Sequence, residues 1–254
     1  MPYIDRDGVR IYYEDEGRGP ALLLTHGYSA TLRMWEPQVV ALANRFRVIR
    51  WDMRGHGASD SPEDPSAYTH AATVADMAAV LDVAGVDRAA IGGLSLGGYL
   101  SLEFHLAYPQ RVRALVLCDT GPGYKKEDAR ESWNRYAESF ARKYDERGLE
   151  ALGAGAELRS ARHRSAAGLA HAARGILVQR DARVIESLPA IRVPTLLVVG
   201  SEDKPFITGM RYMADKIPGS VHAVIDGAGH APNLDKPAEF NDVLARFLEG
   251  LPAA

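Results

Sequence analysis

The sequence predicts an α/β chain with a mostly parallel central sheet and helices on both faces. From about residue 20 to 118, short apolar runs rich in β-branched residues alternate with segments of helical periodicity, and the same pattern resumes after residue 190. Continuous apolar runs of this kind suit strands covered on both sides.

The elements follow in order. IDRDG and VRIYYEDEG flank Asp7-Gly8 and read as an antiparallel hairpin at the sheet edge. ALLLTHG (21–27), FRVIRWD (46–52), AAIGGLS (89–95) and VRALVLCD (112–119) are too short for core helices and are bounded by turn residues, so they read as strands. Residues 69–84 place Val74, Met77, Ala78, Leu81 and Ala84 at helical spacing, with Gly85 as the stop. Residues 96–108 are also helix-like and end at Pro109. From Gly121-Pro122-Gly123 to Pro189 no strand is evident, only charged and alanine-rich helical sequence. VPTLLVVG (193–200) and SVHAVID (220–226) restore strands, and AEFNDVLARFLEG reads as a final amphipathic helix.

Bulk properties narrow the function. With 254 residues, 46% hydrophobic and 25% charged, the chain is an ordinary globular protein with ample length for a core. A net charge of −3 argues against a nucleic-acid surface. No apolar run approaches the roughly 18–20 residues that span a bilayer. MPYIDRDGVRIYY lacks a basic start followed by an apolar core, and Cys118 is the single cysteine, so a cytoplasmic protein without an internal disulfide is expected.

The chemistry centres on Gly93-Leu94-Ser95-Leu96-Gly97. A serine at a strand-to-helix junction, with glycines two before and two after, fits a sharp turn that lifts the hydroxyl above the carboxyl edge of the sheet. A side chain at either glycine would clash, and Gly98 would let the following helix sit tight on the sheet. A hydroxyl needs a base to become a nucleophile. His230, in the glycine-rich loop DGAGHAPNLDKP beyond the last strand, can reach over the same edge, whereas His222 lies within that strand and reads as packed or solvated. The acid should follow VPTLLVVG, where Asp203 is preferred over Glu202 because it lies farther past the strand end; Asp119 is a rival at another strand end. Backbone amides of Tyr28, after His26-Gly27, and of Leu96 would cradle an oxyanion. His26 reads as structural and Cys118 as a small buried hydrophobe.

Taken together, LLLTHGYSA, DMRGHGASD, GGLSLGG, VVGSEDKPF and GAGHAPNLDKPAEF stand in the order of the α/β-hydrolase superfamily, which the chain resembles over nearly its full length. GLSLGG, LVLCDTGPG and HAPNLDKPAEFN are similar to 3-oxoadipate enol-lactonases and their relatives, while the plain HGY resembles general carboxylesterases. The resemblance implies a core of residues 1–121 and 190–254, with residues 122–189 as a helical cap. It makes DMRGHGASD a structural turn, so Asp52 and His56 are not expected to be catalytic. It implies a cofactor-free serine hydrolase of a small ester or lactone, with a Ser95–His230–Asp203 triad. No metal-ligand spacing or dinucleotide fingerprint competes. Carbon–carbon bond hydrolases share the triad order, a small-molecule receptor could share the scaffold, and haloalkane dehalogenases are disfavoured because they carry aspartate at the Ser95 position.

Between residues 125 and 186 there are 13 Lys and Arg against 10 Asp and Glu, with Arg159, Arg162, His163 and Arg164 close together. The simplest reading is a solvated helix face; the alternative is an arginine for a substrate carboxylate. Trp133, Tyr136, Phe140 and Tyr144 form one helical stripe, expected to pack the cap onto the core rather than recognise a ring.

Overall fold

The computed structural model describes residues 3–252. Eight strands form one sheet: β1 (Tyr3–Arg6), β2 (Val9–Glu16), β3 (Ala21–Thr25), β4 (Arg47–Trp51), β5 (Ala89–Leu94), β6 (Val112–Cys118), β7 (Thr195–Gly200) and β8 (Val221–Ile225). Their spatial order is β1-β2-β4-β3-β5-β6-β7-β8. β3 to β8 run parallel, while the β1–β2 hairpin joins antiparallel to β4. Asp7 and Gly8 both take left-handed φ values, 56° and 82°, as a two-residue hairpin turn of this hand requires. Each predicted strand is present, trimmed by a residue or two where the chain leaves the ladder to turn.

Among the described residues there are nine α-helices, the last two following β8: α1 (Glu36–Leu42), α2 (His70–Val83), α3 (Leu96–Ala107), α4 (Glu127–Arg147), α5 (Ala166–Ala172), α6 (Arg183–Ser187), α7 (Lys204–Lys216), α8 (Pro232–Asp235) and α9 (Pro237–Glu249). α2 starts where the Thr69 hydroxyl accepts the Ala72 N–H at 3.0 Å. Gly85, at φ 65°, follows its end.

Strand residues alternate between two cores, and this fixes the layers. Leu23, Ile49, Ile91, Leu115, Leu117 and Leu197 pack with residues of α2, α3 and α7. Leu22, Leu24, Val48, Val116, Leu196 and Val198 pack on the other face with residues of α1 and α9. Burial on both faces explains why ALLLT and TLLVVG read as unbroken apolar runs.

Between β6 and β7 the described chain is helical, with α4, α5 and α6 joined by loops and short 3₁₀ and π turns. Ala141, Tyr144, Leu169, Ala170 and Ala173 form a small core of their own. The aromatic stripe on α4 is divided. Tyr144 is buried and Trp133 and Phe140 are partly so, but Tyr136, at the edge of the stripe against Trp133 and Phe140, is 53% exposed. Among the described residues no helix is long and apolar enough to cross a membrane.

The loop after β4 is pinned from below. Arg54 donates to both oxygens of Asp76, Nε and Nη2 each at 2.8 Å, and Asp76 is fully buried on α2. Removing Arg54 leaves buried Asp76 only the longer 3.6 Å contact with Arg6 Nε, and breaking such a buried pair costs about 3–5 kcal/mol. Arg54→Leu is therefore expected to lower unfolding free energy by about that amount in urea titrations; a loss under about 1 kcal/mol would contradict the assignment.

Candidate active site

β5 ends in Leu94, and the chain enters α3 through Ser95 at φ 54° and ψ −115°. A non-glycine residue there is strained by about 1–3 kcal/mol and persists only when its surroundings hold it. They do so from β6 and the chain that leaves it. The Ser95 N–H donates to the Cys118 carbonyl at 2.9 Å, and the Thr120 hydroxyl donates to the Ser95 carbonyl at 2.7 Å. The flanking glycines are demanded by contact: a Cβ on Gly93 would lie 2.4 Å from the Gly97 carbonyl carbon, and one on Gly97 would lie 2.2 Å from the Thr25 oxygen. A Cβ on Gly98 would meet Thr120 Cγ2 at 2.7 Å, so α3 sits directly on the sheet edge.

Two loops beyond β7 and β8 carry the other predicted residues and are joined to each other. Glu202 N–H donates to the Ala228 carbonyl at 2.9 Å. Asp203 precedes α7 without capping it; its buried carboxylate instead takes the His230 Nδ1 proton at 2.7 Å. This bond leaves Nε2 as the free ring nitrogen. The Phe206 ring stacks at a tilt on the imidazole, with centroids 4.9 Å apart, and limits its rotation. Ser95 Oγ and His230 Nε2 are not hydrogen-bonded; the Ser95 hydroxyl is partly exposed and has no partner among the described residues. Catalytic hydrogen bonds are often long in ligand-free proteins and shorten on the substrate.

The loop after β3 lies against the serine, where a Cβ on Gly27 would come within 3.7 Å of Ser95 Cβ. Among the described residues neither the Tyr28 nor the Leu96 amide donates a hydrogen bond. Leu96 is the first residue of α3, whose opening N–H groups have no carbonyl to bond within the helix. Two unengaged amides thus belong to the loop beside Ser95 and to the residue that follows it.

Ser29, also left-handed at φ 59°, is held on three sides. Its N–H donates to His56 Nε2 at 3.2 Å, its carbonyl accepts from His163 Nε2 at 2.8 Å, and its hydroxyl accepts from Tyr144 at 2.9 Å. The neighbouring Tyr28 hydroxyl donates to the Leu169 carbonyl at 2.9 Å. Residues of the helical insertion therefore grip the loop that offers the Tyr28 amide. Ser29 and Phe206 lie inside the LLLTHGYSA and VVGSEDKPF segments, and Tyr144 and His163 inside the aromatic stripe and the basic cluster, but nothing in their local sequence signals these contacts.

His26, His56 and His163 stand in a row, with ring centroids 5.1 and 5.8 Å apart. Each accepts a backbone N–H on one nitrogen, from Met53, Ser29 and Gly57 respectively, and donates from the other. All three must be neutral to do this. Burial pushes His26 down to about 3, His56 well below its usual range, and His163 in the same direction. With folded values below the ordinary 6.5, unfolding takes up protons, so the rings' contribution to stability diminishes as pH falls from 6.5. Nitrogen-15 spectra should show His26 and His56 as neutral Nδ1–H tautomers at pH 5, and His163 as the Nε2–H tautomer at neutral pH. Titration of His26 or His56 near pH 6.5 would refute the arrangement.

The remaining candidates separate clearly. Glu202 and His222 are exposed, and Cys118 is buried. Asp52 accepts the N–H groups of Leu32 and Ala58, both at 2.8 Å, and holds its turn together. Asp119 is fully buried beside Asp203 and bonds the Gly200 N–H rather than His230. Arg159, Arg162 and Arg164 are exposed, on a loop after a 3₁₀ turn rather than on a helix face, and buried Ala161 anchors that loop. Arg162 bonds the carbonyls of Arg159 and Ala161, and Arg164 reaches outward to the Tyr3 hydroxyl. Their surroundings are those of a solvated surface.

Comparison with known proteins agrees with this geometry. The family model described as the alpha/beta hydrolase fold matches residues 20–167. The pimeloyl-[acyl-carrier protein] methyl ester esterase of Xanthomonas campestris is 32% identical, over 93% of this chain and 98% of its own. 3-Oxoadipate enol-lactonase 1 of Acinetobacter baylyi is 28% identical, over 97% and 96%. Among solved structures, the enol-lactonase of Burkholderia xenovorans superposes with a TM-score of 0.83 at 26% identity, covering 98% of this chain and 100% of that one. The eight-stranded sheet, the strained serine turn and the match over most of the chain together establish that this protein belongs to the α/β-hydrolase family.

Proposed function

We propose that the protein is a serine hydrolase of small carboxylic esters or lactones, working through an acyl-enzyme on Ser95. The observation that carries this reading is the serine turn itself: a strained, partly exposed serine on the sheet edge that also bears the 2.7 Å His230–Asp203 bond, with the neighbouring Tyr28 and Leu96 amides unengaged. The residues named from the sequence keep their roles. Ser95 Oγ attacks the carbonyl carbon while His230 Nε2 takes its proton. Asp203 holds the Nδ1–H tautomer and stabilises the imidazolium. The Tyr28 and Leu96 N–H groups receive the developing oxyanion, each such donor contributing about 10²–10³ in rate. His230 then passes its proton to the leaving alcohol oxygen, leaving an ester on Ser95. Water attacks that ester with His230 again as base, and the acid departs as Ser95 recovers its proton.

Helices α4 to α6 act as the cap over this edge, and Tyr28, Phe140 and Tyr144 pack ring to ring beneath it. With the loop arginines directed to solvent, a substrate carboxylate is not required. Relatives named as a methyl ester esterase and an enol-lactonase support the ester or lactone class.

Turnover of p-nitrophenyl acetate tests the reading. Ser95→Ala and His230→Ala should each lower kcat by about 10³-fold or more, with KM changing little. Binding of esters without serine-dependent turnover would instead make the protein a receptor on a hydrolase scaffold. A panel of short-chain esters, lactones and ring-cleavage diketones then separates ester cleavage from carbon–carbon cleavage.

A further inference from the structure

Three of the four non-glycine residues with left-handed φ lie at the carboxyl edge of the sheet: Ser29, Ser95 and Asp119. The first two belong to the serine site; Asp119 has no part in the mechanism above. It leaves β6 at φ 41°, and is inaccessible to solvent. One of its oxygens accepts the Gly200 N–H at 3.0 Å, while Oδ2 is buried without any hydrogen-bond donor. Oxygens of Asp119 and Asp203 and a ring nitrogen of His230 all lie within 4.8 Å of one another.

Two buried carboxylates this close disfavour each other's ionisation, and one of them is driven toward its protonated form. Asp203 accepts the His230 Nδ1 proton and is therefore the ionised member. We propose that Asp119 is a positioning residue that remains protonated at neutral pH and donates its carboxyl proton to Asp203, fixing which Asp203 oxygen faces His230. The undonated Oδ2 is then the oxygen that carries the proton. This rests on the assignment of Asp203 and His230 as acid and base.

The surrounding charges act in a consistent direction. Burial is the largest influence and raises Asp119 to about 9; Asp203 and Asp235 push the same way, and only the Gly200 N–H opposes them. The adjacent Cys118 thiol is buried and its ionisation is pushed far up, so it contributes no charge. His230 is the one imidazole within 4.8 Å of the pair among the described residues.

Three measurements on the intact protein decide the matter. With carbon-13-labelled aspartate, one carboxyl resonance of the wild type should titrate above pH 8, and that resonance should be absent in Asp119→Asn. No aspartate titrating above pH 8 would overturn the proposal, and this readout needs no turnover. Asp119→Gly tolerates the left-handed backbone but removes the donor, and should lower kcat about tenfold or more with KM nearly unchanged. Asp119→Asn keeps an N–H donor for Asp203 and an acceptor for Gly200, and should restore most of that loss. Wild-type activity should also fall in alkaline solution as Asp119 loses its proton, and that limb should vanish in Asp119→Asn; a wild-type profile without the limb, or its persistence in Asp119→Asn, would overturn the proposal. Should hydrolysis prove independent of Ser95, the proposed function fails while the aspartate titration still reports on the carboxyl pair.

Discussion

The left-handed backbone at Ser95 is the constraint on which the site depends. A side chain in that conformation is costly, and it is held here because β3, β5 and β6 meet beneath it. Gly93 and Gly97 admit the neighbouring backbone, while Cys118 and Thr120 fix the amide and carbonyl of Ser95 itself. The same turn that exposes the hydroxyl also places the first amide of α3 beside it. Strain and electrostatic preorganisation are thus two aspects of one geometry.

Around that turn the site is assembled from loops, each tied to a rigid element. The Asp203 and His230 loops are zipped together by Glu202 and Ala228 at the ends of β7 and β8. The Tyr28 loop is gripped from the core by His56 and from the helical insertion by His163 and Tyr144. Neutral imidazoles suit this task because one ring can accept a backbone N–H and donate to a carbonyl at once. The charged residues of the insertion play no comparable part: Arg174 is paired with Glu138 and Asp145, and the exposed loop arginines face water.

Much of this was legible in the sequence for physical reasons that can be named. Strands buried on both faces leave unbroken apolar runs, so the sheet could be read almost residue by residue. Asp203 could be separated from Glu202 because the residue farther past the strand end turns inward, and Glu202 is indeed exposed. The Ser29 clamp was not legible: its three bonds come from residues 27, 134 and 115 positions away, and a loop serine carries no periodicity. The arginine cluster was misread as a helix face because charge and alanine content alone do not distinguish a helix from a loop anchored by buried Ala161. Tyr136 packs on Trp133 and Phe140 but is exposed, since at about 100° per residue it lies about 60° from Trp133, at the edge of the stripe.

The most direct measurement is covalent capture by a p-nitrophenyl alkylphosphonate, followed by peptide mass mapping and an NMR measurement of the amide protons. A single adduct on Ser95, with the Tyr28 and Leu96 amide protons shifted downfield by the bound phosphonyl oxygen, is the predicted result. Failure to label, or an adduct on any other side chain, would contradict the role given to that strained serine.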